Sequence, residues 1–235
     1  TKIYVPADSP DDGQRLLADP VKYWRTGYSA KELAYAWMEY PNEFPRKVMS
    51  VFESSGLEMF RTIEMLLAIP EYATPLTYGR RASRSDIFVL AKSAGNLVSI
   101  TVEDKVSEPF DKIVSGWKAP RLQEKVNDYN TSVIVLDLTF GVDNFRYQLL
   151  HRTASALIEA EKFNVSHALT MIHLFSQTDE GFDDFEQFVA LFGAKVEVDS
   201  IVRIPRRRTL RSRFNETNLY IGWVRDQGQR SPQSS

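Results

Sequence analysis

The chain has 235 residues, 43% of them hydrophobic and 26% charged, with 31 acids against 29 bases for a net charge of −2. Fourteen phenylalanines and that apolar fraction supply a real core, so wholesale disorder is excluded, and the near-neutral balance excludes a protein coated in positive charge. The absence of cysteine excludes a disulfide scaffold and every cysteine-based zinc site or nucleophile.

Length favours one domain. No apolar run reaches the length of a membrane span, and Lys2-Ile3-Tyr4-Val5-Pro6 has no signal-peptide core, so a cytoplasmic protein without a membrane partner is expected. His151, His167 and His173 are scattered outside any metal-ligand spacing and are read as structural.

Residues 1–54 read as a helical extension packed on the core. Ser29-Ala30-Lys31-Glu32 is a capping box, and Leu33, Trp37 and Tyr40 follow at helical spacing until Pro41. The core, 55–226, opens with a second expected helix from Gly56 to Ile69, whose apolar face is Leu57, Phe60, Ile63 and Leu67, ended by Pro70. Thr74–Thr77 is a short β signal. Asp86–Leu90 is a clearer one, and Gly95-Asn96 turns it back as an antiparallel hairpin into Leu97–Val106. In that last run Val98, Ile100 and Val102 point one way, while Ser99, Thr101, Glu103 and Lys105 point the other.

From Phe110 to Phe140 a strand at Thr131–Val135 competes with one long helix ending at Gly141, and we take the helix. Asp143 is expected to cap a helix running to Glu161. A buried strand at Leu169–Phe175, a helix at Phe182–Phe192, a strand at Lys195–Ile204 and a last strand at Leu219–Val224 complete the core, followed by a polar tail, 227–235.

The spacing around Glu103 carries the chemistry. Glu103 and Lys105, two apart on a strand, project from one face, and Asp86 begins the neighbouring strand. Two carboxylates sharing a divalent cation with waters and a phosphate oxygen make a hard-oxygen site. A lysine beside them can stabilise charge developing on a phosphorane or help deprotonate water. Against this, a Glu-x-Lys and an upstream Asp arise easily by chance, and exposed strand faces carry alternating charge for solubility.

The order of helix, strand, strand with Asp, strand with Glu-x-Lys, then helix and strand over about residues 55–176 resembles the PD-(D/E)XK, or restriction-endonuclease-like, nuclease superfamily. Gly79-Arg80-Arg81-Ala82-Ser83-Arg84-Ser85-Asp86 and Arg146–Ala156 also resemble an uncharacterised bacterial family of unknown function. The first resemblance implies an α/β fold with a mixed sheet flanked by helices, Asp86 and Glu103 as ligands of Mg²⁺ or Mn²⁺, and Lys105 as the catalytic lysine. It further implies an acid from the first core helix, for which Glu64 is chosen with Glu58 in reserve. A polar residue on the helix after the motif is expected at Gln148 or Arg152, one turn apart. Ser85 stands where the motif has proline. Asp104 should face the apolar side, so it must sit at an open sheet end, pair with Arg80 or Arg81, or contradict the register.

Arg203, Arg206, Arg207, Arg208, Arg211 and Arg213 fall within an acid-free segment that could grip a phosphate backbone. The alternative for that segment is a solvated hairpin loop or arginines paired with acids elsewhere, and Arg81 and Arg84, beside Asp86, form a second candidate DNA contact. The expected function is metal-dependent hydrolysis of DNA phosphodiesters, with a homodimer left open. The alternative is an inactive nuclease-like fold that binds nucleic acid or protein.

Overall fold

In the computed structural model, residues 2–4, 14, 29–76, 82–118, 123–138, 141–205, 214 and 216–226 are described. Helices α1 (Ser29–Met38) and α2 (Arg46–Ser54) precede a 3₁₀ turn (Glu58–Phe60) and three strands, β1 (Glu64–Pro75), β2 (Ala82–Ser93) and β3 (Asn96–Lys105). Helices α3 (Val114–Lys118), α4 (Gln123–Leu136) and α5 (Tyr147–Lys162) lead to β4 (His167–Phe175). Helix α6 (Phe182–Ala190), β5 (Ser200–Arg203) and β6 (Asn218–Asp226) end the fold.

The strands form one six-stranded mixed sheet in the order β1-β2-β3-β4-β6-β5, with helices on both faces. β1, β2 and β3 form an antiparallel meander, whereas β3, β4 and β6 are parallel neighbours and β5 runs antiparallel at the far edge. The β2–β3 turn is tight because Ala94 and Gly95 both take positive φ, 49° and 79°, matching the twist of the hairpin. A parallel β3–β4 pair requires a crossover, and α3 to α5 supply it. With a neighbour on each side and helices over both faces, β3 is the centre of the molecule.

Val98, Ile100 and Val102 point toward a core that includes Trp37, Phe44, Val51, Phe52 and Phe60. Across the sheet, α5 and α6 close a second core around Leu150, Leu157, Phe185, Phe188 and Trp223. Among the described residues no helix is long and apolar enough to cross a membrane.

Three sequence expectations need correction. Gly56–Ile69 is not a helix: after the 3₁₀ turn, Met65 to Ile69 pair with β2 as a strand. Pro70 does not end that element, because β1 is an edge strand of this sheet, where a missing N–H is tolerated. The helix expected from Asp143 begins at Tyr147, since the Asp143 and Phe145 carbonyls accept the amides of Ser115 and Val114 and the Phe145 amide turns back to the Val142 carbonyl, which holds that stretch in a turn. The strand expected from Lys195 begins only at Ser200, because Asp199 takes φ 57° and Ser200 Oγ ties back to the Glu197 carbonyl at 2.7 Å. The choice of helix for the ambiguous stretch agrees with α4, which is described from Gln123.

Candidate metal and phosphodiester site at the sheet fork

β2 and β3 pair from Ser93↔Asn96 to Ile87↔Val102, where the ladder stops. β2 nevertheless continues along β1 to Ala82, and β3 continues along β4 to Lys105. The sheet therefore forks at Asp86 and Glu103, the next residue of each strand. Asp86 Oδ2 accepts the freed Asp104 amide at 2.8 Å, so a side chain replaces the lost backbone partner.

Beyond the fork the alternation of β3 turns Glu103 toward α5. Its carboxylate is 3% exposed, and both oxygens are engaged. Lys105 Nζ donates to Oε1 at 3.1 Å, Gln148 Nε2 also donates to Oε1, and Arg152 Nε donates to Oε2. Gln148 and Arg152, one turn apart on α5, approach the same carboxylate from above. Arg152 Nη1 reaches Ser83 Oγ at 3.0 Å, and Ser83 Oγ lies 2.8 Å from His151 Nδ1, so the network runs from β3 through α5 to β2.

Electrostatics divide these acids into two kinds. Burial pushes the Glu103 carboxyl up, but Arg152 and Lys105 outweigh it and hold the group at about 2. Asp86 is raised well above the usual carboxylate range, first by burial and then by Asp104 and Glu103. Burial raises Asp104 to about 6 despite its contacts with Asp86 and Lys105. Burial opposes the charge on Lys105 and Arg152, yet the surrounding carboxylates hold both above their ordinary values.

Glu71, which the sequence reading missed, belongs to the same group. Burial and then the Asp86 carboxylate raise it to about 7, and it also feels Arg84, Arg152 and Glu103. Its φ of 52° is left-handed backbone inside a strand, a conformation that a residue with a side chain adopts at some cost. No sequence signal marked it, because its segment read as the region after a helix.

The other candidates separate clearly. Asp86, Glu103, Lys105, Gln148 and Arg152 are brought together. Glu64 is not: it sits at the other end of β1, exposed, paired with Lys2 at 3.2 Å and Lys92 at 2.9 Å. Glu71 lies seven positions further along β1, roughly 23 Å away, so the choice of Glu64 is corrected. Glu58 is exposed and bonded to Arg61. Arg84 lies at the rim, donating to the Glu71 carbonyl at 3.0 Å. Arg81, Arg206, Arg207 and Arg208 lie outside the described residues. Asp104 is at no open end: it is 3% exposed, and its Oδ2 has no hydrogen-bond partner. The three histidines have hydrogen-bond partners, His151 with Ser83, His167 with Tyr220 and His173 with Trp37.

The acids at the fork offer carboxylate oxygens, the donor type that hard divalent cations take. Glu71, Asp86 and Asp104 are all raised, in each case first by burial and then by neighbouring acids. No group of three or more His, Asp or Glu side chains among the described residues could hold a metal ion. Asp86 and Glu103 are the two carboxylates at the fork that a cation completed by water and phosphate oxygens could use.

The family model for a domain of unknown function, DUF6946, matches residues 6–228. The chain belongs to this family. No curated protein and no solved structure matches the chain. The matched span takes in the whole sheet and every residue of the fork.

Proposed function

We propose that this member of the DUF6946 family is a divalent-metal-dependent nuclease with a restriction-endonuclease-like core, acting on DNA in the cytoplasm. The observation that carries the proposal is the fork, which sets Asp86 and Glu103 side by side where β2 and β3 part, with Lys105 on the Glu103 face. An antiparallel meander joined by a helical crossover to parallel strands supports the fold assignment.

Bound Mg²⁺ or Mn²⁺ would polarise the phosphate and lower the pKa of an attacking water. Asp86 and Glu103 would hold that charge in place. Lys105 Nζ, already at the acids, is positioned to stabilise negative charge on the phosphate as the bond to the leaving oxygen breaks. Gln148 orients Glu103 while its own Oε1 accepts the Asp111 amide at 3.2 Å, which fixes the side chain from behind. Arg152 is a natural phosphate ligand once a cation takes over Glu103. Arg84 and the arginines at 206–208 are assigned to the DNA backbone.

A second reading has one observation in its favour. The Glu103 oxygens are already satisfied by protein donors, as in a structural ionic knot within a non-catalytic domain that binds nucleic acid or protein. Calorimetric titration with Mn²⁺ separates the two. Saturable binding that disappears in Asp86→Ala and persists in Lys105→Ala is expected for the enzyme. No binding to the wild-type chain would favour the structural knot.

A further inference from the structure

Past the fork, β2 continues along β1 and carries Ser83, opposite Thr74 and 3% exposed, beneath α5. Its hydroxyl oxygen sits between two successive residues of that helix, 3.0 Å from Arg152 Nη1 and 2.8 Å from His151 Nδ1. We propose that Ser83 and His151 are positioning residues for Arg152, holding its guanidinium at the fork to bind a phosphate oxygen of the substrate. The inference rests on the reading of the fork as a phosphodiester site.

Donor counting orients the three groups. A guanidinium can only donate, so Ser83 Oγ accepts from Arg152. The hydroxyl has one proton of its own, and among the described residues its other partner is His151 Nδ1. With a proton on Nδ1, both neighbours would donate, and a buried O–H would be left without an acceptor. Ser83 therefore donates to a bare Nδ1, and the imidazole carries its proton on Nε2. Burial and then the Arg152 charge push His151 well below the ordinary histidine range, which keeps the ring neutral and Nδ1 free to accept.

The ring itself is set from behind. Tyr147, one turn earlier on α5, has its ring centre 4.8 Å from that of His151, and Trp117 of α3 stacks on Tyr147 at 3.6 Å. This aromatic column fixes the acceptor, the acceptor fixes the Ser83 hydroxyl, and the hydroxyl fixes Arg152.

The two bonds of Arg152 differ in what metal binding would do to them. Nε donates to Glu103, a carboxylate whose charge a bound cation would share. Nη1 donates to Ser83, which is neutral and has no part in holding the cation. As Glu103 turns to the metal, Ser83 remains as the anchor, and it holds the guanidinium without neutralising it. Asp86 and Glu71 act on Arg152 as well as Glu103, which places the guanidinium among the acids of the fork. Among the described residues Nη2 makes no hydrogen bond, which leaves that amino group for a phosphate oxygen.

The test uses the full chain and reads binding rather than turnover. Long-range ¹H–¹⁵N NMR of the His151 ring should show a protonated Nε2 and a bare Nδ1 in the wild type. Fluorescence anisotropy with a labelled oligodeoxythymidine in Ca²⁺ should show affinity lowered about tenfold in Ser83→Ala and in His151→Phe, which keeps a ring without the acceptor. Ser83→Thr, which keeps the hydroxyl, should match the wild type. Calorimetry should give all four chains the same Mn²⁺ affinity, with folding checked by circular dichroism. A protonated Nδ1, unchanged oligonucleotide affinity in Ser83→Ala, or loss of Mn²⁺ binding in that variant would overturn the positioning role and leave the metal-site reading standing. A wild-type chain that binds no Mn²⁺ or no oligonucleotide would contradict the phosphodiester reading and overturn this inference with it.

Discussion

On one face of β3, Val98, Ile100 and Val102 are fully buried beneath the N-terminal helices. On the other, Ser99, Thr101, Glu103 and Lys105 are buried almost as deeply beneath α5, from 0% exposed at Ser99 to 7% at Lys105. The first face is stabilised by area removed from water, which tolerates small changes. The second is stabilised by pairs: Ser99 Oγ donates to the Ala156 carbonyl, Thr101 Oγ1 to the Arg152 carbonyl, and Glu103 is held by three donors. A buried ionic cluster is a poor way to gain stability, since apolar residues of similar volume often do as well. Charge is nevertheless retained there: Glu103 is held ionised by Arg152 and Lys105, while burial pushes the neighbouring Glu71, Asp86 and Asp104 toward the neutral form.

The largest expected effect comes from removing a cation on the polar face. Arg152→Ala leaves the Glu103 carboxylate with Lys105 and Gln148 only, and should destabilise the fold by about 3 kcal/mol in urea denaturation. Adding Glu103→Gln should recover much of that loss. If the double variant is as unstable as the single one, Arg152 acts through packing, and the contrast between the faces weakens.

A smaller effect isolates Glu71. Its folded-state pKa, about 7, lies above the ordinary 4.5, so its proton is held more tightly in the folded chain. The sign follows: this carboxyl costs nothing below pH 4.5 and progressively destabilises the fold as pH rises through 7. Glu71→Gln should match wild type at pH 4 and exceed it at pH 8 by on the order of 1–3 kcal/mol. Mg²⁺ should narrow the gap at pH 8. Thermal denaturation at the two pH values reads it, and equal stability at pH 8 would remove Glu71 from the cluster.

The smallest effect sharpens the comparison within one strand. Ser99→Ala removes a single buried hydrogen bond, worth about 1 kcal/mol. Ile100→Val, next to it on the apolar face, should cost a similar ~1 kcal/mol for one methyl group. Mg²⁺ should alter neither value, because neither residue touches the fork.

The register of β3 was legible in the sequence because β-branched residues alternate with polar ones over a run flanked by a turn, so Glu103 and Lys105 could be placed on one face. Gln148 and Arg152 came from the resemblance, which implied a polar residue on the helix after the motif. β1 was not legible: Met65 to Ile69 is a continuous apolar run, which periodicity assigns to helix or buried strand equally well, and only its pairing with β2 decides. That error carried Glu64 into the site and left Glu71 out. The fork itself has no local sequence signal, since it depends on where one ladder stops and two others continue. Asp104 was recognised as an anomaly, yet its burial beside Asp86 follows from that fork alone.

Cleavage by identically purified wild type and Asp86→Ala, Glu103→Ala and Lys105→Ala variants, on single-stranded, duplex and branched DNA, tests the central claim most directly. The expected result is cleavage by wild type with Mg²⁺ or Mn²⁺ and little with Ca²⁺, whose looser coordination positions water poorly. Both acid variants should be inactive, and Lys105→Ala should be slower by about two orders of magnitude or more while still binding metal. Wild-type protein that binds DNA yet leaves every substrate intact with either metal, or acid variants as active as wild type, would contradict it.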